Sequence, residues 1–387
     1  MKKDILENIT NEAKTEFVQL NIIGTENTHI RILQCIGIIC VVMGHVGCNV
    51  FSFGNWLPYA SFHMPLFFFV SGYFFSPKTL RFRSFVRIFT RLIIPFYIFY
   101  VMYWFIVRFL NAYWGCSFTL ANGFVDYLLA PILKVQPVGF LSPSWFVISL
   151  AFVKLIHYCI WKLLSKIMCS DQQIHMFITF LYVCVGVFVF GIGTGQSEII
   201  RNMQKIAFWL SFYQCGSLYS EHQEDIDGIH WYVYFGTLIV IRELLWIRYG
   251  WTSIAFYSFD NIEEGYFPVF LSAVVGILLW CRITLIISKK VETNGILVKI
   301  GRSTFDIMVN HLFVIFLLQG IGLFVYTRLF GKQYDFSVFK SSVYYVAGAN
   351  PILPMLLTIL SVLIISYFSE QKKRIKQKIA RICSTRL

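Results

Sequence analysis

The sequence predicts an all-α membrane protein, a polytopic bundle of about ten transmembrane helices, and three observations support this fold class. Hydrophobic residues make up 57% of the 387 residues and charged residues only 14%, whereas a soluble domain has about a quarter charged residues. The mean hydropathy is +0.66. Apolar runs long enough to cross a bilayer recur along the chain, and Lys and Arg are concentrated in the segments between them. These features exclude the secreted, fibrous and disordered classes.

Ten apolar runs are interpreted as membrane spans. They lie at 32–51, 59–77, 92–110, 145–161, 174–193, 206–219, 229–247, 266–287, 303–326 and 352–368. The run at 206–219 is short, and residues 118–133 are a candidate re-entrant or interfacial helix. The count therefore allows one span more or fewer.

The positions of the basic residues predict the orientation of the spans. With the N-terminus in the cytoplasm, 23 of the 33 Lys and Arg residues fall in inside segments, seven in outside loops and three within spans. Basic residues are enriched in cytoplasmic segments, so both termini are predicted to be cytoplasmic, which requires an even number of spans. The net charge of +13 follows from this topology, and nucleic-acid binding is not expected.

The chain is predicted to form one membrane domain, residues 32–368, between a cytoplasmic N-terminal segment, 1–31, and a basic cytoplasmic tail, 369–387. The N-terminal segment lacks the apolar core and the small-residue cleavage site of a signal peptide, so the first run is interpreted as a retained span. The ten Cys residues form no C-x-x-C pair. Neither a disulfide framework nor a zinc site is expected.

Two histidines in the first two runs are the leading candidates for catalytic residues. An ionisable side chain inside a span is costly and therefore indicates function. His45 lies beside Gly44 in the first run, and His63 lies near the start of the second. In an antiparallel helix pair both lie about 8 Å below the outer face, where they are expected to share a cavity. Imidazole can take a proton from a hydroxyl. For either histidine alone, the alternative is a hydrogen bond between helices.

A run of arginines follows the second span. Arg83, Arg87 and Arg91 are spaced by four residues and are predicted to form one stripe on a cytoplasmic helix. Guanidinium groups bind phosphates in a bidentate manner, so the stripe is suited to a nucleotide-bearing donor. The alternative is a basic loop that only sets membrane orientation.

Five further residues are weaker candidates. Trp145 is most simply an aromatic residue of the membrane interface, and His311, beside Asn310, most simply forms a hydrogen bond between helices. Lys154 and Arg242 are unusual inside spans and are candidates to contact a saccharide or a lipid phosphate, although Arg242 is also placed to reach the outer headgroups.

Several motifs together resemble a known family. They are VVMGH in the first run, FHMPLFFFVSGYFF in the second and the Arg-rich loop that ends in RLIIP. Two later motifs follow in the same order, PSWFVISL at 143–150 and GRSTFDIMVNHLF at 301–313. The set resembles the acyltransferase 3 family of membrane O-acyltransferases, particularly its fucose 4-O-acetylase-like branch. The match is dense over residues 31–95 and thinner at the later motifs.

The resemblance implies a ten-helix fold that takes an acyl group, usually acetyl, from cytoplasmic acyl-CoA and delivers it to a sugar hydroxyl on the outer side. It places His45 on the catalytic histidine of the first span and His63 on the histidine of the second. It also places the Arg loop on the arginine motif thought to contact CoA. Trp145 stands at an aromatic landmark of the family.

The sequence departs from the family at two basic positions. Many members have Arg or Lys eleven positions before the first histidine, where this chain has Gln34. The nearest cation is Arg31, three residues earlier and roughly on the same helical face. The loop arginines are spaced by four residues rather than as R-x-x-R. Arg31 is therefore a weaker candidate for acyl-CoA binding than the loop.

The predicted function is an acyl-CoA-dependent O-acetyltransferase that modifies a cell-surface glycan or its lipid-linked precursor at the cytoplasmic membrane. The expected partners are acyl-CoA, the saccharide and the lipid bilayer, with no metal and no bound cofactor. The main alternative is a glycan or lipid transporter, although the two halves show no matching Gly/Pro-interrupted short spans. A glycan polymerase or ligase is a third possibility. The sequence does not identify the acceptor glycan. It also does not decide whether His45 acts as a general base or as an acyl carrier.

Overall fold

A computed structural model shows that the chain is helical. The structure describes residues 27–47, 50–79, 82–120, 123–134, 139–192, 197–250, 265–331, 336–344 and 352–384. Within these ranges there is no β-strand, and the only β-type pairing is an isolated bridge between Phe53 and Leu57. The all-α prediction is therefore confirmed for the described residues. The first 26 residues of the predicted N-terminal segment lie outside them.

Fifteen α-helices are described. They are α1 (Thr28–His45), α2 (His63–Tyr73), α3 (Phe82–Ile88), α4 (Ile94–Tyr113), α5 (Phe124–Leu133), α6 (Trp145–Leu164), α7 (Asp171–Gly191), α8 (Glu198–Glu221), α9 (Gln223–Gly228), α10 (Trp231–Tyr249), α11 (Tyr266–Ser288), α12 (Ile296–Arg302), α13 (Thr304–Phe330), α14 (Ser337–Ser341) and α15 (Ile352–Ser384). The short helix α5 falls in the region predicted to hold a re-entrant or interfacial helix.

Seven helical segments are long and apolar enough to cross a membrane. They are Thr28–His45, Ser84–Tyr113, Trp145–Leu164, Asp171–Gly191, Tyr266–Ser288, Thr304–Leu329 and Ile352–Ile379. The other three predicted runs also contain helices, α2, α8 and α10, but these are shorter or carry more polar residues. Length and composition therefore support a multi-pass membrane protein and identify seven of the ten predicted spans.

Helix α2 is shorter than the predicted 19-residue span and is buried. It has only 11 residues, and apolar side chains all around it are buried, as expected for a helix inside a bundle. It packs closely against α8, where Gly72 and Gly216 let the two backbones touch. Helix α8 has 24 residues, longer than the predicted run at 206–219, and buries polar as well as apolar side chains.

The helix before α4 changes geometry at Phe89–Ile93, which forms a π-helical turn. The amide of Ile94 donates to the carbonyl of Phe89, five residues earlier. Pro95 follows, and its ring lacks an N–H and clashes with the carbonyl four residues before it. The widened turn avoids this clash. The predicted arginine stripe is therefore not a regular α-helical face, because Arg91 lies within the π turn.

A hydrogen-bond network joins several helix ends on one side of the bundle. The Asn27 amide donates to the Tyr73 hydroxyl (2.6 Å), which donates to Gln223 (2.6 Å), and Gln223 donates to the Asp227 carboxylate (3.0 Å). Arg282 donates to the carbonyl oxygen of Asp227 (2.9 Å). The connected ends of α1, α2, α9 and α11 are those that the charge distribution places in the cytoplasm.

The basic tail continues the last helix. Residues 369–384 extend α15 without a break. Ser369 donates to the Asp306 carboxylate (2.6 Å), and Lys372 forms an ion pair with the same group (3.2 Å). The start of the tail is therefore attached to the first turn of α13.

Candidate active site

His45 and His63 lie at the ends of two consecutive helices. His45 is the last residue of α1 and His63 is the first residue of α2. The sequence predicts a first span that continues to residue 51, but the helix ends at His45. Gly47 follows with φ +73°, a left-handed conformation typical of the residue after a helix. Both histidines are half-buried and close enough to interact electrostatically. The structure therefore brings the two predicted catalytic residues together.

Tyr59 contacts His63 and Gly44, the residue before His45. A Cβ atom on Gly44 would be 2.7 Å from the Tyr59 hydroxyl oxygen, so this glycine makes room for the hydroxyl beside His45. The ring centroids of Tyr59 and His63 are 5.2 Å apart. The Tyr59 carbonyl oxygen is 3.0 Å from Nδ1 of His63. Because a carbonyl only accepts, Nδ1 carries the proton, and Nε2 of the neutral ring carries the lone pair.

His311 on α13 extends the pair to a group of three, here called the histidine cluster. Its ring centroid is 5.3 Å from that of His45. Its Nδ1 is 3.0 Å from the carbonyl oxygens of Ile307 and Met308, to which it donates. Its Nε2 is buried and has no hydrogen-bond partner among the described residues. A buried acceptor without a donor is costly, so this lone pair is suited to a ligand hydroxyl or a neighbouring N–H group.

The ring of Tyr344 also lies near that of His45. The two ring centroids are 5.4 Å apart, and the Tyr344 hydroxyl forms a hydrogen bond with Ser142. Ser142 belongs to the 3₁₀ segment Gly139–Ser144, which leads directly into α6. The environment of His45 is thus built from segments that are far apart in the sequence.

Asn310 and Trp145 lie outside the histidine cluster. Asn310 accepts a hydrogen bond from the Tyr103 hydroxyl (2.8 Å) and so faces α4. Trp145 is buried, and the Lys205 ammonium lies 4.8 Å from its ring centroid. The interpretation of Trp145 as an aromatic residue of the membrane interface is therefore wrong. Its buried cation–π contact with Lys205 was not predicted.

A second feature is a cavity of about 340 Å³, here called the basic cavity. It lies between the end of α2, the α3–π-turn segment, α6 and α8. Its lining residues are Ser71, Phe74, Phe75, Ser76, Ser84, Arg87, Ile88, Arg91, Leu92, Lys154, Tyr158 and Tyr213. Three of these are cations, and none of the described lining residues is acidic. The cavity is therefore suited to an anionic ligand.

The predicted donor-binding arginines have different positions. Arg87 and Arg91 line the basic cavity. The side chain of Arg83 lies outside the described part of the structure. Arg31 does not line the cavity, but its guanidinium lies 5.6 Å from the ring centroid of Phe74, which does. Arg31 also donates to the Gln34 side chain (2.9 Å), so the two residues share a helix face as predicted.

Arg242 and Glu243 both hold the segment between α1 and α2. Arg242 is fully buried and donates to the carbonyl oxygen of Trp56, while Glu243 accepts from the Trp56 indole N–H (2.8 Å). The expectation that Arg242 reaches the outer headgroups is therefore wrong. The Ser52 hydroxyl accepts from the backbone N–H of Tyr59 (3.0 Å), which connects this segment to the histidine cluster.

Sequence reasoning identified some of these residues but not their association. Lys154 was recognisable as a lone cation in an apolar run, yet nothing in the sequence indicated that it faces the same cavity as the loop arginines. Nothing in the sequence marked Tyr344 as a residue of the site, since it lies in a long polar loop.

A family model described as an acyltransferase domain, of the acyltransferase 3 type, matches residues 27–381. The matched range contains both the histidine cluster and the basic cavity. No curated protein and no solved structure gave a significant match.

Proposed function

This chain belongs to the acyltransferase 3 family, and we propose from this premise that it transfers an acyl group, most simply acetyl, from cytoplasmic acyl-CoA to a hydroxyl group of a cell-surface glycan or its lipid-linked precursor. Family membership and the apolar helices show a multi-pass membrane acyltransferase. The proposal goes further than this in four respects. It names acyl-CoA as the donor and a glycan hydroxyl as the acceptor, and it assigns the chain to the fucose 4-O-acetylase-like branch and to the cytoplasmic membrane.

One observation carries the proposal: the histidine cluster and the basic cavity lie at opposite ends of α2. His63 is the first residue of this helix, and Ser71, eight residues later, lines the cavity. At a rise of 1.5 Å per residue, the two levels are about 12 Å apart. A donor with its phosphates in the cavity therefore needs a flexible arm of this length to bring a thioester to the histidines. The pantetheine arm of CoA is such an arm.

The basic cavity supports a phosphate-bearing donor. Arg87 and Arg91 offer planar, permanently charged groups that bind phosphate oxygens through two parallel hydrogen bonds. The cavity adjoins the network of helix ends around Asp227 through α2, whose last residues contribute to both. This end of the bundle is the predicted cytoplasmic side, where acyl-CoA is found.

The histidine cluster supports acyl transfer to a hydroxyl. A ring nitrogen of His45 takes the proton of the acceptor hydroxyl while its oxygen forms a bond to the thioester carbon. The carbon–sulfur bond then breaks, and the proton is returned to the departing CoA thiolate. In the alternative route, His45 first receives the acyl group on nitrogen and passes it to the hydroxyl. Either route forms one ester bond and releases CoA as a free thiol.

The helix ends favour the charges that develop in this reaction. His45 lies at the C-terminus of α1, where the partial negative charge of the helix dipole stabilises a protonated imidazole by about 0.3–1 kcal/mol. His63 lies at the N-terminus of α2, where the partial positive charge favours the oxyanion of a tetrahedral intermediate. The two residues are therefore suited to complementary roles, His45 as base or acyl carrier and His63 near the oxyanion.

The test is transfer of radiolabelled acetyl from acetyl-CoA supplied to the cytoplasmic face of membranes that contain native glycan. The wild type is compared with His45→Ala and with His230→Ala, a control histidine at the exposed start of α10. We expect label in the glycan for the wild type and the control, and none for His45→Ala at equal protein abundance.

Two results would contradict the proposal. Label that persists in His45→Ala would remove this residue from the mechanism. An absence of label in the wild type with every acyl-CoA tested, despite normal insertion and available acceptor, would favour the transporter alternative.

A further inference from the structure

Tyr344 is an exposed aromatic residue beside His45. Its ring centroid is 5.4 Å from that of His45, and the residue is 38% exposed. His45 itself is half-buried at the predicted outer end of α1. A Cβ atom added to Gly47, two residues further along the chain, would meet nothing within 4 Å among the described residues. A ligand that approaches from the predicted outer side therefore has room beside these rings.

The segment that carries Tyr344 is held against α13. Phe339 on α14 stacks on Phe316 of α13, with ring centroids 4.7 Å apart and an angle of 3° between the ring planes. The Tyr344 hydroxyl forms its hydrogen bond with Ser142. Helix α13 also carries His311. These contacts give the Tyr344 ring a defined position relative to the histidine cluster.

The described residues in contact with the His45 ring carry no permanent charge. The ring contacts are with His311 and Tyr344, and Ser142 places a second hydroxyl group next to that of Tyr344. Hydroxyl groups both donate and accept hydrogen bonds, as the hydroxyl groups of a sugar do. The basic cavity, in contrast, has three cations among its lining residues. A phosphate is therefore suited to the cavity, and an uncharged sugar to the space beside His45.

The surface of a pyranose ring matches a partly exposed tyrosine. The C–H groups of such a sugar form an apolar face, and its hydroxyl groups form a polar rim. An aromatic side chain with a polar tip offers the same combination, and ligand sites typically pair aromatic side chains with a few polar groups. The 5.4 Å between the ring centroids of Tyr344 and His45 is similar to the width of a pyranose ring. A sugar packed on Tyr344 therefore brings a hydroxyl group within reach of His45.

We propose that Tyr344 binds the acceptor: the C–H face of an uncharged pyranose ring packs against the exposed part of its side chain, and one hydroxyl group of this sugar lies beside His45. This assignment rests on the proposed function and adds the chemical class of the acceptor group to it. The acceptor site is then separate from the donor site, because Tyr344 is not among the described residues that line the basic cavity. Where the acceptor is a lipid-linked precursor, its phosphates lie away from Tyr344.

The experiment measures the KM for the acceptor separately from the KM for the donor. The full-length protein in liposomes receives radiolabelled acetyl-CoA and, as the acceptor, glycan extracted from the membranes of the producing cells. Tyr344→Leu replaces the aromatic ring by an aliphatic side chain. We expect the KM for the glycan to rise by about 2- to 10-fold, as for the loss of one aromatic packing contact. The KM for acetyl-CoA, and kcat at saturating glycan, should stay at the wild-type values.

Two variants serve as controls. Tyr344→Phe keeps the ring and loses only the hydrogen bond to Ser142, so its KM for the glycan should lie closer to the wild-type value than that of Tyr344→Leu. Tyr249→Leu removes a tyrosine of similar exposure, 41%, at the predicted outer end of α10 and should behave as the wild type. After enzymatic digestion of the glycan, the label should be recovered in an uncharged sugar residue.

Three outcomes would overturn the assignment. An unchanged KM for the glycan in Tyr344→Leu would show that the acceptor does not contact this ring. A fall in kcat with both KM values unchanged would show that Tyr344 only positions His45. Label in a charged sugar residue would refute the proposed acceptor class.

Binding is measured without turnover, as the thermal stabilisation of the purified protein by the same glycan in the absence of acetyl-CoA. The assignment predicts that Tyr344→Leu loses most of this stabilisation, whereas Tyr344→Phe and Tyr249→Leu keep it. Tyr344-dependent binding of the glycan without any acyl transfer would refute the proposed function and leave the sugar site standing. Acyl transfer with a glycan affinity that does not depend on Tyr344 would refute the assignment and leave the proposed function standing.

Discussion

The close contact between α2 and α8 predicts a strong effect of a single methyl group. A Cβ atom on Gly216 would lie 1.8 Å from the carbonyl oxygen of Phe69, and one on Gly72 would lie 1.8 Å from that of Tyr213. Ordinary contacts begin at 3.4 Å, so Gly216→Ala requires the helices to separate by about 1.6 Å. Overpacking of this kind costs about 1–3 kcal/mol, which exceeds the gain of about 0.5–1 kcal/mol from replacing a helical glycine by alanine.

We therefore expect Gly216→Ala to lower the midpoint of thermal unfolding in detergent. Acyl transfer should also fall, by about 100-fold, because α2 carries His63 and a displacement of about 1 Å has an effect of this size. The matched control is Gly236→Ala on α10, where an added Cβ meets nothing within 4 Å. It should be neutral or slightly stabilising. A Gly216→Ala protein with the midpoint and activity of the control would refute the described packing of α2 on α8.

Three further predictions follow from single contacts. His311→Phe should lower kcat with little change in the KM for acetyl-CoA, because the lost nitrogens belong to the histidine cluster and not to the basic cavity; a raised KM alone would contradict this. Arg242→Met should lower the thermal midpoint, because it leaves the Trp56 carbonyl without its donor at a cost of about 1–3 kcal/mol; an unchanged midpoint would count against that contact. Tyr103→Phe should cost about 0.5–1.5 kcal/mol of stability by loss of the hydrogen bond to Asn310, while kcat stays at the wild-type value; a kcat loss without a stability loss would place Asn310 in the chemistry.

The sequence predicted the positions of the helices well because lipid imposes long apolar runs. Each of the ten runs contains a helix, and the isolated histidines and arginines of 31–95 were visible as departures from that pattern. The end of α1 at His45 was not predicted, because the apolar composition of the following residues suggested a span that continues to residue 51.

Hydropathy did not predict the correct helix lengths where side chains are buried against other parts of the protein. Helix α8 buries Gln204, Lys205 and Gln214, so its composition does not show its full length of 24 residues. Helix α2 has only 11 residues although its predicted run has 19, because an apolar run does not distinguish side chains covered by neighbouring helices from side chains covered by lipid.

The approach of distant residues was beyond the reach of the sequence. The proximity of His311 to His45, and of Lys154 to Arg87, depends on how α13 and α6 pack in three dimensions. No spacing rule along the chain carries that information. The same applies to the contact of Arg242 with Trp56, which are 186 residues apart.

The 11-residue length of α2 has an electrical consequence. This helix spans about 16 Å, roughly half of a hydrocarbon core of about 30 Å, and it separates cationic groups at one end from imidazoles at the other. In the proposed reaction the phosphates of the donor stay on their own side, an uncharged acyl group moves outward and a hydroxyl proton takes its place on the released thiol. No net charge crosses the bilayer. A membrane potential acts with about 2.3 kcal/mol per elementary charge per 100 mV, so it does not change the overall free energy of this reaction. The equilibrium of acyl transfer should therefore be the same in energised and in uncoupled membranes, and the thioester alone supplies the driving force.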